Sequence, residues 1–298
     1  MCAEYSPMNW DDVRVFLAVA RQGQLLGAAR SLGLNHATVA RRLNALEQAL
    51  GSTFFIRRTN GTELSGEGER FLIHAERMES AMLAAQEAAG ADSQIAGTVR
   101  VGAPDGFGVA FLAPRLGRLT RRHPGLRVEL VPVPRAFSLS RREADIAVAI
   151  ERPREGRLVA RKLTDYQLGL YAARDYLNER GMPASLEQLG EHQLVGYVED
   201  LIFSPWLDYT GEFSRQWRSS LAISSAMGQA EAVRAGAGIG ILHTYMAKGD
   251  DRLVPILPEH KLTRSYWTVV HEDLRAIRRV ALVSEFLSEI VAEARGFF

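Results

Sequence analysis

The chain has 298 residues, 47% of them hydrophobic and 24% charged, a balance ordinary for folded domains that points to neither disorder nor a membrane protein. Two or three units are expected at the usual size of about 100 to 200 residues each. The formal net charge of +1 exerts no global pull on nucleic acid, the single cysteine, Cys2, can form neither an intramolecular disulfide nor a thiolate metal cage, and no apolar run approaches the roughly 18 residues of a membrane span, so a cytoplasmic protein without a metal centre or cofactor is expected.

The spacing predicts a helix from Asn9. Asn9 can cap it, Asp11 and Asp12 suit its positive end, and Val13, Phe16, Leu17 and Ala20 recur at helical intervals. Gly23 breaks it. A second short apolar pattern, Leu25, Leu26, Ala28, Ala29 and Leu32, ends at Gly33, where positive φ permits a sharp turn. A third helix starts at the N-cap Asn35, and its Val39, Leu43, Leu46 and Leu50 fall within about 60° on a helical wheel, predicting an inward stripe. Opposite lie Ala37, Thr38, Arg41, Ala45 and Gln48, short or hydrogen-bonding residues around one arginine. A helix entering the major groove needs such a face, because bulk near its N-terminal end would hold the bases out of reach.

In "FFIRRTNGTELS", Asn60 and Gly61 supply a hairpin signal between two strand-like runs, with Arg57 and Arg58 at its base. A helix, a helix-turn-helix pair and a basic hairpin together make a winged helix-turn-helix, the hairpin placed to touch phosphates or the minor groove. The same residues also fit a small three-helix module with solvated arginines.

From Gly66 to about Gly90 the chain has no proline and only Gly68 as an internal glycine, so a long helix is expected. Phe71, Ala75, Met78, Met82, Ala85 and Ala89 follow the 4, 3, 4, 3, 4 spacing of a two-stranded coiled coil. Two recognition helices held at fixed separation could then read half-sites roughly 34 Å apart. The alternative is a linker helix packed on its own domain.

After "GADSQ", the strand-like "GTVRVGAP" and the helix-then-strand "FGVAFLAPRLGRLTRRHPGLRVELVPV" open a βαβ unit. "ADIAVAI", "LGLYAA", the helix "ASLEQLG", "HQLVGYV", the helix "SAMGQAEAVRAGA", "GIGILHT" and a closing strand and helix continue the alternation. They predict an α/β domain of mostly parallel sheets in two lobes joined by two crossovers. Ligands bind such sheets at strand carboxyl ends and helix N-termini. Candidate effector residues are Pro104, Asp105, Gly106 and Phe107 after the first strand, Ser224 and Ser225 before a helix, and Tyr197 and His243 near strand ends. Amides and hydroxyls there suit a carboxylate or other small anion, although Asp105 would repel one unless it meets a cation or an amine. Ser225 and Asp105 are equally readable as plain N-caps.

No catalytic signature is present: "GAGIG" at Gly236 to Gly240 is not a dinucleotide fingerprint, no P-loop, HExxH or G-x-S-x-G occurs, and the seven histidines are scattered. A regulator is expected rather than an enzyme. A solute-binding protein or enzyme with an N-terminal assembly domain is the competing reading.

The stretch "DDVRVFLAVARQGQLLGAARSLGLNHATVARRLNALEQALGSTFFIRRTNGTELSGEGERF" resembles the DNA-binding domain of LysR-type transcriptional regulators, without a gap from about Trp10 to Phe71. The pieces "GTVRVGAP", "LAPRLGRLTRRHPGLRVELV", "READIAVAI", "LVARKL" and "EAVRAGAGIGILHTYMA" resemble that family's effector-binding domain, similar in fold to periplasmic solute-binding proteins. The resemblance implies base-facing positions at His36, Ala37, Ala40 and Arg41 and a wing at Arg57 and Arg58. Candidate DNA contacts are thus Asn35, His36, Ala37, Thr38, Ala40, Arg41, Arg42, Arg57 and Arg58. Asn35, His36 and Ala37 stand where Ser-Gln-Pro is usual, Ala40 replaces a common serine, and His243 stands where a proline is common. The resulting expectation is a winged helix-turn-helix over 1–65, a dimerisation helix over 66–92, and an effector domain over 93–298. Its first lobe spans about 97–164 and 268–298, and its second about 165–267. Expected partners are a pseudo-palindromic operator, a small effector, a second copy in a homodimer or homotetramer, and RNA polymerase.

Overall fold

The side chain of Asn9 accepts the Asp11 amide at 2.9 Å and starts α1 (Trp10–Gln22), which Gly23 closes. The computed structural model describes residues 8–58, 61–89, 95–133, 135, 137, 139, 143–153 and 156–298, with the side chains of 86–89 excepted. It divides into two units, Met1–Ser93 with Arg141–Glu143, and Gln94–Ser140 with Ala144–Phe298.

In the first unit α2 (Leu25–Leu32) ends at Gly33, whose φ of 65° is open to glycine at little cost, and α3 (His36–Leu50) follows after that reversal. Val13, Phe16, Val19, Ala28, Ala29, Val39, Leu43 and Leu46 form one core with Phe54 and Phe55. Two stripe residues depart from expectation. Leu26 is 51% exposed and Leu50 is 41% exposed, the latter as the last residue before the Gly51 reversal.

The hairpin pairs β1 (Phe55–Arg58) with β2 (Gly61–Leu64), and Arg58 lies opposite Gly61. Asn60 lies outside the described residues, and Gly61 opens the second strand. There the wing meets the turn after α1: the Thr62 amide donates to the Gly23 carbonyl at 2.8 Å, and a Cβ on Gly61 would stand 2.5 Å from the same oxygen. Only glycine permits that approach.

Ser65 caps α4 (Gly66–Ala89), its hydroxyl accepting the Gly68 amide at 3.0 Å. The expected coiled-coil seam is only partly available. Ala75 is wholly buried in the unit's own core, Phe71 and Met78 pack against it, and Arg21 on α1 holds Glu79 through two hydrogen bonds of 3.0 and 2.5 Å. The first half of the seam is consumed because α1 offers it an apolar surface in the same chain. Past that contact Met82 is 40% exposed and Ala85 is exposed, while the side chain of Ala89 lies outside the described residues.

In the second unit β3 (Gly97–Ala103) leads to the short α5 (Asp105–Phe107), a π-turn over Gly108–Leu112, and α6 (Ala113–Arg122). There follow β4 (Leu126–Pro132), β5 (Ile146–Ala149), β6 (Leu158–Ala173), α7 (Arg174–Arg180), β7 (Leu194–Gly196), α8 (Thr210–Phe213) and β8 (Leu221–Ala222). The chain closes with α9 (Ala226–Arg234), β9 (Ile239–His243), α10 (Thr244–Ala247), β10 (Leu253–His271) and α11 (Arg278–Glu293). "ASLEQLG" forms no α-helix: Glu187–Glu191 makes a single 3-10 turn, too short to hold α-type hydrogen bonds.

The strands order as β4-β3-β5-β10-β6-β9-β7-β8. Parallel pairing is confined to the flanks, β4-β3-β5 and β9-β7-β8. The long β6 and β10 run antiparallel, because a chain that crosses between lobes and returns must reverse direction. Their register shifts between Tyr266 and Trp267, with β5 paired to one end of β10 and β9 paired to the far end of β6. Each lobe is thus a small parallel sheet hung on one end of a shared ribbon.

Candidate nucleic-acid interface and effector cleft

The N-terminal end of α3 is built by Asn35, whose side chain accepts the Thr38 amide at 2.7 Å. That bond makes Asn35 the cap of the helix. His36, Ala37 and Arg41 are exposed and Thr38 and Ala40 half-buried, so short side chains surround one guanidinium. Arg41 has no hydrogen-bond or ion-pair partner among the described residues. Arg42, among the expected DNA contacts, turns back to α1, its Nη1 lying 3.2 Å from Asp11 and 3.7 Å from Asp12. Asp11, half-buried and held by Arg42 and Arg14, has its carboxyl below the usual range. Arg42 faces inward because one helical step from Arg41 rotates a side chain by about 100°. On the wing, Arg57 is exposed without a partner among the described residues, while Arg58 pairs with Glu63 at 2.9 Å. Arg30, exposed in the last turn of α2, is a further cation on this unit that periodicity did not single out.

In the second unit the structure brings Pro104, Asp105 and Gly106 onto the N-terminus of α9. Asp105 Oδ2 accepts from the Ser225 hydroxyl at 2.5 Å and the Met227 amide at 3.2 Å, and Ser225 Oγ accepts the Gly228 amide at 3.1 Å. Ser225 is the cap, and Asp105 is a second, long-range one. Ser224 is half-buried beside it. Phe107 is a core residue and not a ligand contact: it is fully buried, with ring centroids 5.1 Å from Phe111 and 4.5 Å from Tyr266. Tyr197 is buried too, and burial together with the Asp105 charge pushes its phenol up to about 12.

The His243 ring stacks on Tyr166 at 5.1 Å, and Tyr166 stacks on Tyr266, whose hydroxyl lies 3.0 Å from that of Tyr245. Burial lowers the His243 imidazole from 6.5 to about 4, against a smaller opposing pull from Asp105. The unfolded chain therefore binds more protons than the folded one between those values. Stability from keeping this ring neutral is complete above about pH 6.5 and is lost as pH falls toward 4. Urea unfolding near pH 7.5 and near pH 5 should differ by on the order of 2 kcal/mol, and His243→Gln should remove most of that difference. An equal difference in the variant would locate the effect elsewhere.

A cavity of about 480 Å³ opens beside this turn, sharing only Pro104 with the residues expected from sequence. Its walls include Phe137, Ile150, Phe203 and Val269, with Glu151, Arg135 and Arg152 as its charged members. Glu151 accepts from the buried Ser204 hydroxyl at 2.8 Å. Glu151 and Arg152 directly follow "ADIAVAI", so the rule that ligands gather at strand carboxyl ends would have found them. Phe203 carries no local signal. Among the described residues no cluster of His, Cys, Asp or Glu is arranged to hold a metal, and no helix is long and apolar enough to cross a membrane.

A winged helix-turn-helix with an open, capped helix and an α/β unit with a ligand-sized cavity define the class: a DNA-binding regulator that carries a small-molecule domain. Residues 10–69 match the bacterial regulatory helix-turn-helix proteins of the lysR family, and residues 92–292 match the LysR substrate binding domain. The chain belongs to the LysR-type transcriptional regulators. It is 28% identical over 291 residues to the HTH-type transcriptional regulator CrgA of Neisseria meningitidis serogroup C (strain 8013), covering 94% of this chain and 96% of that one. It is 27% identical to the HTH-type transcriptional activator TtdR of Escherichia coli (strain K12), covering 93% and 92%. The solved structure of CrgA from Neisseria meningitidis aligns with a TM-score of 0.57 at 25% identity, over 96% of this chain and 99% of the other. Full-length OxyR from Pseudomonas aeruginosa aligns with a TM-score of 0.73 at 18% identity, over 96% and 95%, a likeness of fold alone.

Proposed function

We propose that two copies of the chain, alone or as a pair of dimers, read a pseudo-palindromic operator in the cytoplasm by placing α3 in adjacent major-groove turns. The observation that carries this reading is the uncovered face of α3, with Arg41 exposed amid Ala37, Thr38 and Ala40. His36 stands at the helix start, Arg57 and Arg58 on the wing meet the backbone, and Arg30 adds a phosphate contact. The copies join through α4 around the exposed Met82 and Ala85, which would hold the half-sites at fixed spacing.

A small effector occupies the cavity beside Pro104 and shifts lobe or dimer geometry, changing how RNA polymerase is engaged. Only a differential affinity for two arrangements is required, typically about 1 to 3 kcal/mol. Catalysis has no part in this reading. Gel shifts with upstream DNA at several salt concentrations test it: contact with several phosphates makes affinity fall steeply with salt. Absence of a retained band at low salt would return the N-terminal unit to a mere assembly module.

A further inference from the structure

Nine residues of α9 end at a place where a carboxylate would ordinarily be welcome: free amides, a helix dipole and the Ser225 hydroxyl converge there. In this chain the seat is taken. Asp105, 120 residues away in sequence, makes the two bonds a ligand carboxylate would make, to Ser225 Oγ and to the Met227 amide. Little space is left beside it, since a Cβ on Gly106 would come within 3.2 Å of Met246 Sδ and 3.3 Å of Ala226 Cβ. A second anion at this half-buried end would also meet the Asp105 charge at short range, which is unfavourable.

The adjoining cavity begins one residue away, at Pro104, and is walled mainly by aromatic and aliphatic side chains. Its second carboxylate, Glu151, is already engaged by Ser204. Its two guanidiniums are each set over a ring, Arg135 at 5.2 Å from the Phe137 centroid and Arg152 at 5.8 Å from that of Trp267.

We infer that Asp105 is a specificity-determining residue: as a built-in anion it closes the N-terminus of α9 to carboxylates, so an effector does not seat a carboxylate there. This rests on the reading of the cleft as the effector site, and it makes an expectation of an anionic effector at Ser225 unnecessary. The test uses the full chain without DNA, so a failure of operator recognition does not enter it. Acetate is titrated at constant ionic strength against a chloride control, by calorimetry and thermal shift, into the wild type, Asp105→Ala and Asp105→Ser. Both variants should bind acetate saturably and at least about tenfold more tightly than the wild type, and a second substitution, Ser225→Ala, should abolish the gain. Folded variants that gain no acetate binding overturn the inference. So does saturable acetate binding by the wild type with an affinity matching theirs. If neither variant folds, the wild type decides: no saturable binding supports the assignment, and saturable binding sinks it.

Discussion

Replacing Arg41 with alanine should lower affinity for the operator by about 1 to 3 kcal/mol, roughly tenfold to a hundredfold, while binding to random DNA changes little. The guanidinium stands on the open face of α3, has no ion pair to lose among the described residues, and can give two parallel hydrogen bonds to one guanine edge. Arg57→Ala should behave differently, weakening all sequences alike and flattening the salt dependence, because a wing cation meets phosphates that carry no sequence information. Competition binding with specific and random duplexes separates the two. Equal losses on both duplexes for the Arg41 variant would remove it from base reading.

Phe16→Ala should cost about 3 to 5 kcal/mol, a large share of the roughly 5 to 15 kcal/mol available to a domain. The ring is fully buried, with centroids 5.3 Å from Phe54, 5.3 Å from Phe55 and 4.9 Å from Phe71. It therefore joins α1 to the strand of the wing and to the start of α4 at one point. Its loss leaves a cavity that three rings cannot fill by small shifts, and α4 loses an anchor along with the wing. Denaturant unfolding should show an early transition in the variant, with operator binding lost in parallel. A cost below about 1 kcal/mol would mean that the aromatic cluster is not what assembles this unit.

Much of the N-terminal unit was legible because its signals are local. Asn9, Asn35, Gly23 and Gly33 act on amides and carbonyls within a few residues, and the apolar spacing of α1 and α3 reports which side needs a partner. The spacing of Phe71, Ala75, Met78 and Met82 was equally visible, but it could not say whether the partner was a second chain or α1. Ala75, buried against α1, and Met82, left open, divide one stripe between two fates. Arg42 shows the same limit: spacing places a charge beside the recognition face, and only the fold brings Asp11 and Asp12 within its reach.

In the second unit the sequence by itself determined which segments alternate as strands and helices and where helix ends would present amides. Tertiary structure alone decided that Asp105 would fill the α9 end, that Phe107 would enter the core, and that Phe203 would line the open cavity. Periodicity is a property of neighbours along the chain. What stands opposite a helix terminus depends on strand order and on two long strands bringing distant loops together, and no local pattern encodes that meeting.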